Sequence, residues 1–179
     1  VASPVIVGES YVAEGDPQFA TGEGAAWALA WCEGGGGGES YVNLIPTVEG
    51  GTHESGLKSG VFDSIREFCL HHELLSRGVT LQTEDVWKNL RFLLSARLLD
   101  PQFQGQTKDR LNNTEVAGLV ETGLRPALER WLLENGTIAE QIVGRIVMAT
   151  RAREASRAAA QQVTRKTAIS HRLNLPGKL

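Results

Sequence analysis

Cysteine is scarce: only Cys32 and Cys69 occur among 179 residues, enough for one bridge at most and too few for a disulfide scaffold. Free, buried thiols are the expected state. Methionine is scarcer, with Met148 alone and the chain opening on Val1, so the sequence reads as a piece excised from a longer protein. Nothing has the pattern of a secretory leader, and no apolar run approaches the roughly 20 residues that a membrane-spanning helix requires. A soluble, cytosolic protein with no membrane partner is the reading. Histidines are also few, and although Cys69, His71 and His72 lie close in sequence, no second pair of ligands accompanies them, so no metal site is expected. The Gly-x-Ser-x-Gly elbow of a serine hydrolase is missing. The five-glycine run 34–38 is followed by Glu39-Ser40 and not by Lys and Ser or Thr, which excludes a nucleotide-binding phosphate loop.

What is present is a 41% hydrophobic content, sufficient for the core of one domain. The net charge of −3 conceals a strong asymmetry. Residues 1–50 carry seven acids and no Lys or Arg, whereas residues 141–179 carry eight bases against the single acid Glu154. A neutral average argues against a nucleic-acid partner, but a basic tail on a dipolar chain argues for one.

Periodicity outlines the elements. Val5-Ile6-Val7, in a lead-in over residues 1–20, feeds a strand. Trp27, Leu29 and Trp31 share one side at period two, and Tyr41 to Ile45 resumes a strand after the glycines, which predicts an antiparallel hairpin with a slack tip. From Thr52, Leu57, Val61, Ile65 and Phe68 recur at helical spacing and predict a helix packed on the sheet. A short helix is predicted from Thr83, capped by its hydroxyl, then a strand over Leu90 to Leu98. Asn112 and Glu115 have capping-box spacing before a helix whose Val116, Leu119, Val120, Leu124, Ala127, Leu128 and Trp131 share a face, with a kink expected near Pro126. The last helix is predicted over Ile138 to Lys166: Ile138, Ile142 and Ile146 align, but beyond Met148 only Val163 is a large aliphatic residue. A helix polar nearly all round bridges through solvent.

One loop stands out chemically. Gly105-Gln106-Thr107-Lys108 presents an amide, a hydroxyl and an ammonium beside a glycine, a donor set suited to phosphate oxygens. A solvated loop lysine is the plain alternative.

Three segments then carry a resemblance: Asn43-Leu44-Ile45-Pro46-Thr47, Glu49-Gly50-Gly51-Thr52-His53, and Asp100 through Lys108 with its Gln-Gly-Gln-Thr-Lys end. In order and spacing the chain resembles the B subunits of type IIA DNA topoisomerases over nearly its whole length. Within that family it is most similar to the transducer domain of topoisomerase IV B subunits. The Asn-Leu-Ile-Pro-Thr run, Arg66-Glu67-Phe68-Cys69 and Ser76-Arg77-Gly78-Val79 favour that branch over gyrase B, which is the alternative.

The resemblance implies an α+β fold, a two-layer α/β arrangement like the second domain of ribosomal protein S5: a four-stranded sheet backed by helices, with a left-handed β-α-β crossover and a long C-terminal helix. It implies a lead-in over 1–20, the S5-like domain over 21–136 and a basic helix and connector over 137–179. Lys108 and Gln106 would contact the γ-phosphate of ATP held by a neighbouring ATPase domain, with Thr107 beside them. Loss of that phosphate would let the domains rotate and so couple hydrolysis to DNA strand passage, relaxation and decatenation. ATP and Mg2+ would be cofactors of the parent enzyme, an ATP-hydrolysing DNA topoisomerase, and none would bind the fragment alone, which would be inactive and monomeric. The partners would be the ATPase and cleavage domains of the same subunit, a ParC-type A subunit in a heterotetramer of two A and two B subunits, and double-stranded DNA, in the bacterial cytoplasm at the nucleoid. Arg145, Arg151, Arg153, Arg157, Arg165, Lys166 and Arg172 would approach the duplex through its phosphates; a connector helix kept soluble by its arginines is the plainer reading. An RNA-binding module with the S5-like fold is the alternative of another class, disfavoured by the acidic first 50 residues. The matching domain of a mismatch-repair or chaperone ATPase lacks the Gly-Gly-Thr-His and Gln-Thr-Lys signatures together.

Overall fold

The computed structural model describes residues 3–173, with side chains through residue 167. Alternation of buried and half-buried positions forms the inner strand β2 (Gly24–Trp31), whose Trp27, Leu29 and Trp31 all face the core as the period predicts. On one side it pairs antiparallel with β1 (Ile6–Tyr11), so the lead-in contributes a full edge strand. On the other it pairs antiparallel with β5 (Leu90–Arg97). The next strand outward is β3 (Gly37–Val42), parallel to β5, and the two-residue β4 (Ile45–Pro46) closes the order β1-β2-β5-β3-β4.

The expected hairpin between β2 and β3 is therefore absent. Both edges of β2 are taken, and β3 instead places Ser40 and Val42 in the core from the far side of β5. The glycines are not a slack tip either: Gly37 and Gly38 belong to β3 and pair with Arg91 and Phe92. Sequence proximity favours the local pairing, but burial of β5 on both edges decides for the distant one. The sheet has five strands where four were expected, the fifth being the short β4.

Helix α1 (Thr52–His71) joins β4 to the short α2 (Thr83–Trp87) and completes the crossover from β3 to its parallel neighbour β5. It buries Leu57, Val61, Ile65 and Phe68 as its spacing predicts. Against it lies α3 (Glu115–Glu134), with Val116, Val120, Leu124, Leu128 and Leu132 inward; Leu119, Ala127 and Trp131 are only partly covered. The two helices approach closely because Gly56 has no side chain, and a Cβ there would strike the backbone carbonyl of Ala117. Each fully buried Leu or Val contributes about 1.5–3 kcal/mol relative to exposure, so this interface supplies much of the core.

Three local expectations change. Helix α2 is capped by Gln82 and not by the Thr83 hydroxyl: the Gln82 side chain and Asp85 close a reciprocal capping box. Helix α3 starts after Thr114, two residues beyond Asn112, and has no side-chain cap, so the Asn112–Glu115 capping box does not form; Glu115 Oε1 instead accepts the Asn113 amide at 3.0 Å, which also donates to the Asp100 carbonyl at 3.2 Å. Helix α3 runs on through Pro126, which sits on the exposed side, where water can serve the carbonyl it leaves without a donor. The last helix, α4 (Gly136–Leu173), is longer than its sequence pattern suggests, 38 residues and about 57 Å. Its first four turns bury Ala139, Ile142, Val143, Ile146, Val147 and Thr150, and every described residue from 155 to 167 is exposed.

Candidate functional site

The loop between β5 and α3 is built from its base upward. Leu111, 1% exposed, anchors it in the core and bridges to both Gly51 and Phe103. Three backbone hydrogen bonds tie this base to the turn before α1: Glu49 N to Asp109 O at 2.9 Å, Leu111 N to Gly50 O at 3.0 Å, and Thr52 N to Leu111 O at 3.2 Å. Gly50 and Gly51 both have positive φ, and a Cβ on Gly51 would meet the Leu111 backbone, so the glycine pair is what lets the two segments touch. The loop's outer rungs are Gln104 N to Arg110 O at 2.9 Å and Asn112 N to Gln102 O at 2.7 Å. Asn113 Oδ1 accepts from Gln102 N at 2.6 Å.

Above this base Gln106, Thr107 and Lys108 are exposed, and among the described residues none of their side chains has a hydrogen bond or ion pair. Gly105 and Lys108 both adopt positive φ, 80° and 58°, which reverses the chain and sets the three side chains at the tip. A left-handed lysine is an uncommon backbone state. The result is one ammonium, one amide and one hydroxyl displayed on a rigidly held base, a group that can neutralise and hydrogen-bond a phosphate but contains no base or nucleophile of its own.

The second expected surface is α4. Arg151, Arg157, Arg165 and Lys166 are exposed along it, as is Arg145. The Arg172 side chain lies outside the described residues. Arg153 is placed differently: its Nε donates to Asp85 Oδ1 at 3.0 Å, and its Nη2 donates to Asp85 Oδ2 at 3.3 Å and to the Thr80 carbonyl at 3.0 Å. Thr150 adds a hydroxyl donor to Asp85 at 3.0 Å. Asp85, 7% exposed, thus fastens α4 to α2 while capping α2, and the guanidinium expected to meet DNA phosphates is occupied within the chain. The local sequence marks Asp85 only as an acid in the first turn of a short helix; its tie to α4 is unmarked, because those partners lie 65 and 68 residues away.

Among the described residues no group of His, Cys, Asp and Glu could hold a metal ion. Cys69 is buried and its thiol is pushed up to about 11 by desolvation; Cys32, half-buried, is also a free thiol. His72 stacks on Phe68 and bonds its carbonyl at 3.0 Å, so the Cys-His-His cluster belongs to the end of α1 and not to a ligand. No helix among the described residues is long and apolar enough to cross a membrane.

Residues 4–162 match the DNA gyrase B family. The B subunit of DNA topoisomerase 4 from Salmonella typhimurium is 44% identical over 159 residues, which are 88% of this chain and 25% of that protein. Among solved structures, the topoisomerase IV ATP-binding domain of Francisella tularensis, in complex with a small-molecule inhibitor, superposes with TM-score 0.71 at 32% identity, over 82% of this chain and 39% of that one. The 43K ATPase domain of Thermus thermophilus gyrase B, in complex with an aminocoumarin, gives 0.77 at 25% identity, over 88% and 41%. The chain spans about a quarter of the length of the curated relatives it matches. With the sheet order, the loop base joined through Gly50 and Gly51 and the Gln-Thr-Lys tip all carried on the matched residues, the chain belongs to the DNA gyrase B family, the B subunits of type IIA DNA topoisomerases.

Proposed function

We propose that this chain is the transducer domain of a topoisomerase IV B subunit, coupling the ATP state of a neighbouring ATPase domain to DNA strand passage, relaxation and decatenation. The carrying observation is the exposed Gln106-Thr107-Lys108 tip held on a fixed base, with no intramolecular partner among the described residues to consume its donors. Lys108 and Gln106 fit the terminal phosphate of ATP: a mobile cation and a neutral donor, three residues or fewer apart, facing outward. The nucleotide supplies the phosphate whose loss changes the charge this tip faces. Mg2+ would accompany ATP in the neighbouring ATPase domain as a cofactor of the parent enzyme.

Such a tip is useful only if its position is transmitted. Its base is continuous with the turn before α1, α1 packs on α3, and α2, which follows α1, is fastened to α4 by Asp85. Movement of the tip therefore acts on one packed body from which α4 projects with its exposed bases toward a duplex, contacting phosphates without reading sequence. The A subunit, the cleavage domain and double-stranded DNA are the partners this reading requires. It is tested by Lys108→Ala in the intact protein assembled with the A subunit. Loss of one charge-assisted contact of about 1.5–3 kcal/mol lowers ATP turnover about 10- to 100-fold, with an unchanged melting temperature. Undiminished turnover and DNA relaxation would refute the assignment.

A further inference from the structure

The turn that carries the loop base is braced by a buried polar chain that no role described so far uses. His53 is fully buried in the first turn of α1, and its Nε2 lies 2.9 Å from Thr47 Oγ1. Thr47 Oγ1 lies 2.7 Å from Ser40 Oγ on β3, and Ser40 Oγ donates to Glu54 Oε2 at 2.5 Å. Ser40 Oγ also lies 3.3 Å from the Thr47 carbonyl, but the far shorter bond to the charged carboxylate takes its hydrogen, and the direction of the other protons follows. Ser40 has one hydroxyl hydrogen, given to the carboxylate, so Thr47 donates to Ser40 and His53 Nε2–H donates to Thr47. Nδ1 is then the bare nitrogen, in agreement with its having no hydrogen-bond partner although it is buried. Thr47 is the hub: its N–H donates to Ser40 O at 2.9 Å and its carbonyl accepts Gly50 N at 2.9 Å. Gly50 in turn accepts Leu111 N, and Glu49 reaches Asp109, the residue next to Lys108.

We propose that His53, Thr47, Ser40 and Glu54 form a directional hydrogen-bonded strut that positions the Gln106–Lys108 tip through the 47–51 turn. This rests on the phosphate-contacting role given to Lys108. They are positioning residues: none faces the tip, and each acts through the turn. A packing role alone would be met by apolar side chains of the same size. Four polar groups in series are needed only where one geometry must be selected over close alternatives.

The test uses the intact protein with Thr47→Val, which removes the hub hydroxyl at constant shape, and His53→Leu, with His53→Gln as the variant that keeps a donor. Affinities for ADP and for a non-hydrolysable ATP analogue are measured alongside ATP turnover. Thr47→Val and His53→Leu are expected to weaken the analogue about tenfold while leaving ADP unchanged, because only the analogue carries the phosphate that Lys108 meets. His53→Gln should restore most of that loss, and Lys108→Ala added to Thr47→Val should cost little more than Lys108→Ala alone. Should Thr47→Val not fold, Ser40→Ala breaks the same chain at its outer link and is read the same way. Selective loss of the analogue in Lys108→Ala but in none of the strut variants overturns the strut alone. No loss in Lys108→Ala overturns the phosphate reading beneath it. Equal loss of ADP and analogue in the strut variants overturns it too, as simple destabilisation.

Discussion

Asp85→Ala tests how α4 is held. The carboxylate caps α2 through Gln82 N at 2.9 Å, takes the Thr150 hydroxyl at 3.0 Å and pairs with Arg153, whose side chain is 27% exposed. Loss of the cap costs about 1 kcal/mol. The pair, discounted for the partial exposure of Arg153, contributes about 1–2 kcal/mol. Thr150 costs little, since its hydroxyl also reaches the Ile146 carbonyl at 3.1 Å. The sum is about 2–3 kcal/mol, which for a domain of this size lowers the melting temperature by roughly 4–12 °C. Asp85→Asn retains the cap acceptor and should lose about half as much. A double-mutant cycle with Arg153→Ala, followed by calorimetry, isolates the pair and should give a coupling of about 1–2 kcal/mol. If the two substitutions add within about 0.5 kcal/mol, the clamp is absent in solution and Arg153 is available to an outside phosphate.

Two further outcomes are expected. Desolvation lowers His53 to about 4 in the fold, against about 6.5 in an unfolded chain. Between these values the unfolded state binds the extra proton, so stability is complete above pH ~6.5 and falls as pH drops toward 4, by on the order of 3 kcal/mol in all. His53→Gln should remove that share of the slope in denaturant titrations at stepped pH, and an identical slope would count against a neutral buried imidazole. Replacing Arg151, Arg157 and Arg165 with Gln in the assembled enzyme should reduce relaxation and flatten its salt dependence by roughly one unit of log-log slope per lost phosphate contact. ATP affinity should hold, and unchanged relaxation at moderate salt would argue for a purely solvated helix.

The helices were legible because their period is local. Leu57, Val61 and Ile65 on α1 and Val120, Leu124 and Leu128 on α3 face the core where their spacing puts them. The strand β2 was legible for the same reason, with Trp27, Leu29 and Trp31 alternating inward. The Gln106-Thr107-Lys108 tip was legible as chemistry, since a cation, an amide and a hydroxyl beside a glycine suggest an anion whatever surrounds them.

Pairing and occupancy were not legible. β3 follows β2 in sequence, yet it pairs on the far edge of β5, and no local period encodes a partner 54 residues away. Charge alone makes Arg153 one more base on a basic helix, and only its approach to a buried carboxylate takes it out of that set. The Ser40, Thr47, His53 and Glu54 chain likewise looks like scattered polar residues until the turn at Gly50-Gly51 brings β3 and α1 together. By itself the sequence determined which residues are apolar at which period, where the charge lies and which donors the loop tip carries. The tertiary structure decided which strand meets which and which polar groups are already paired, because hydrogen bonds and burial are satisfied between segments far apart in the chain, and their satisfaction is a property of the packed whole.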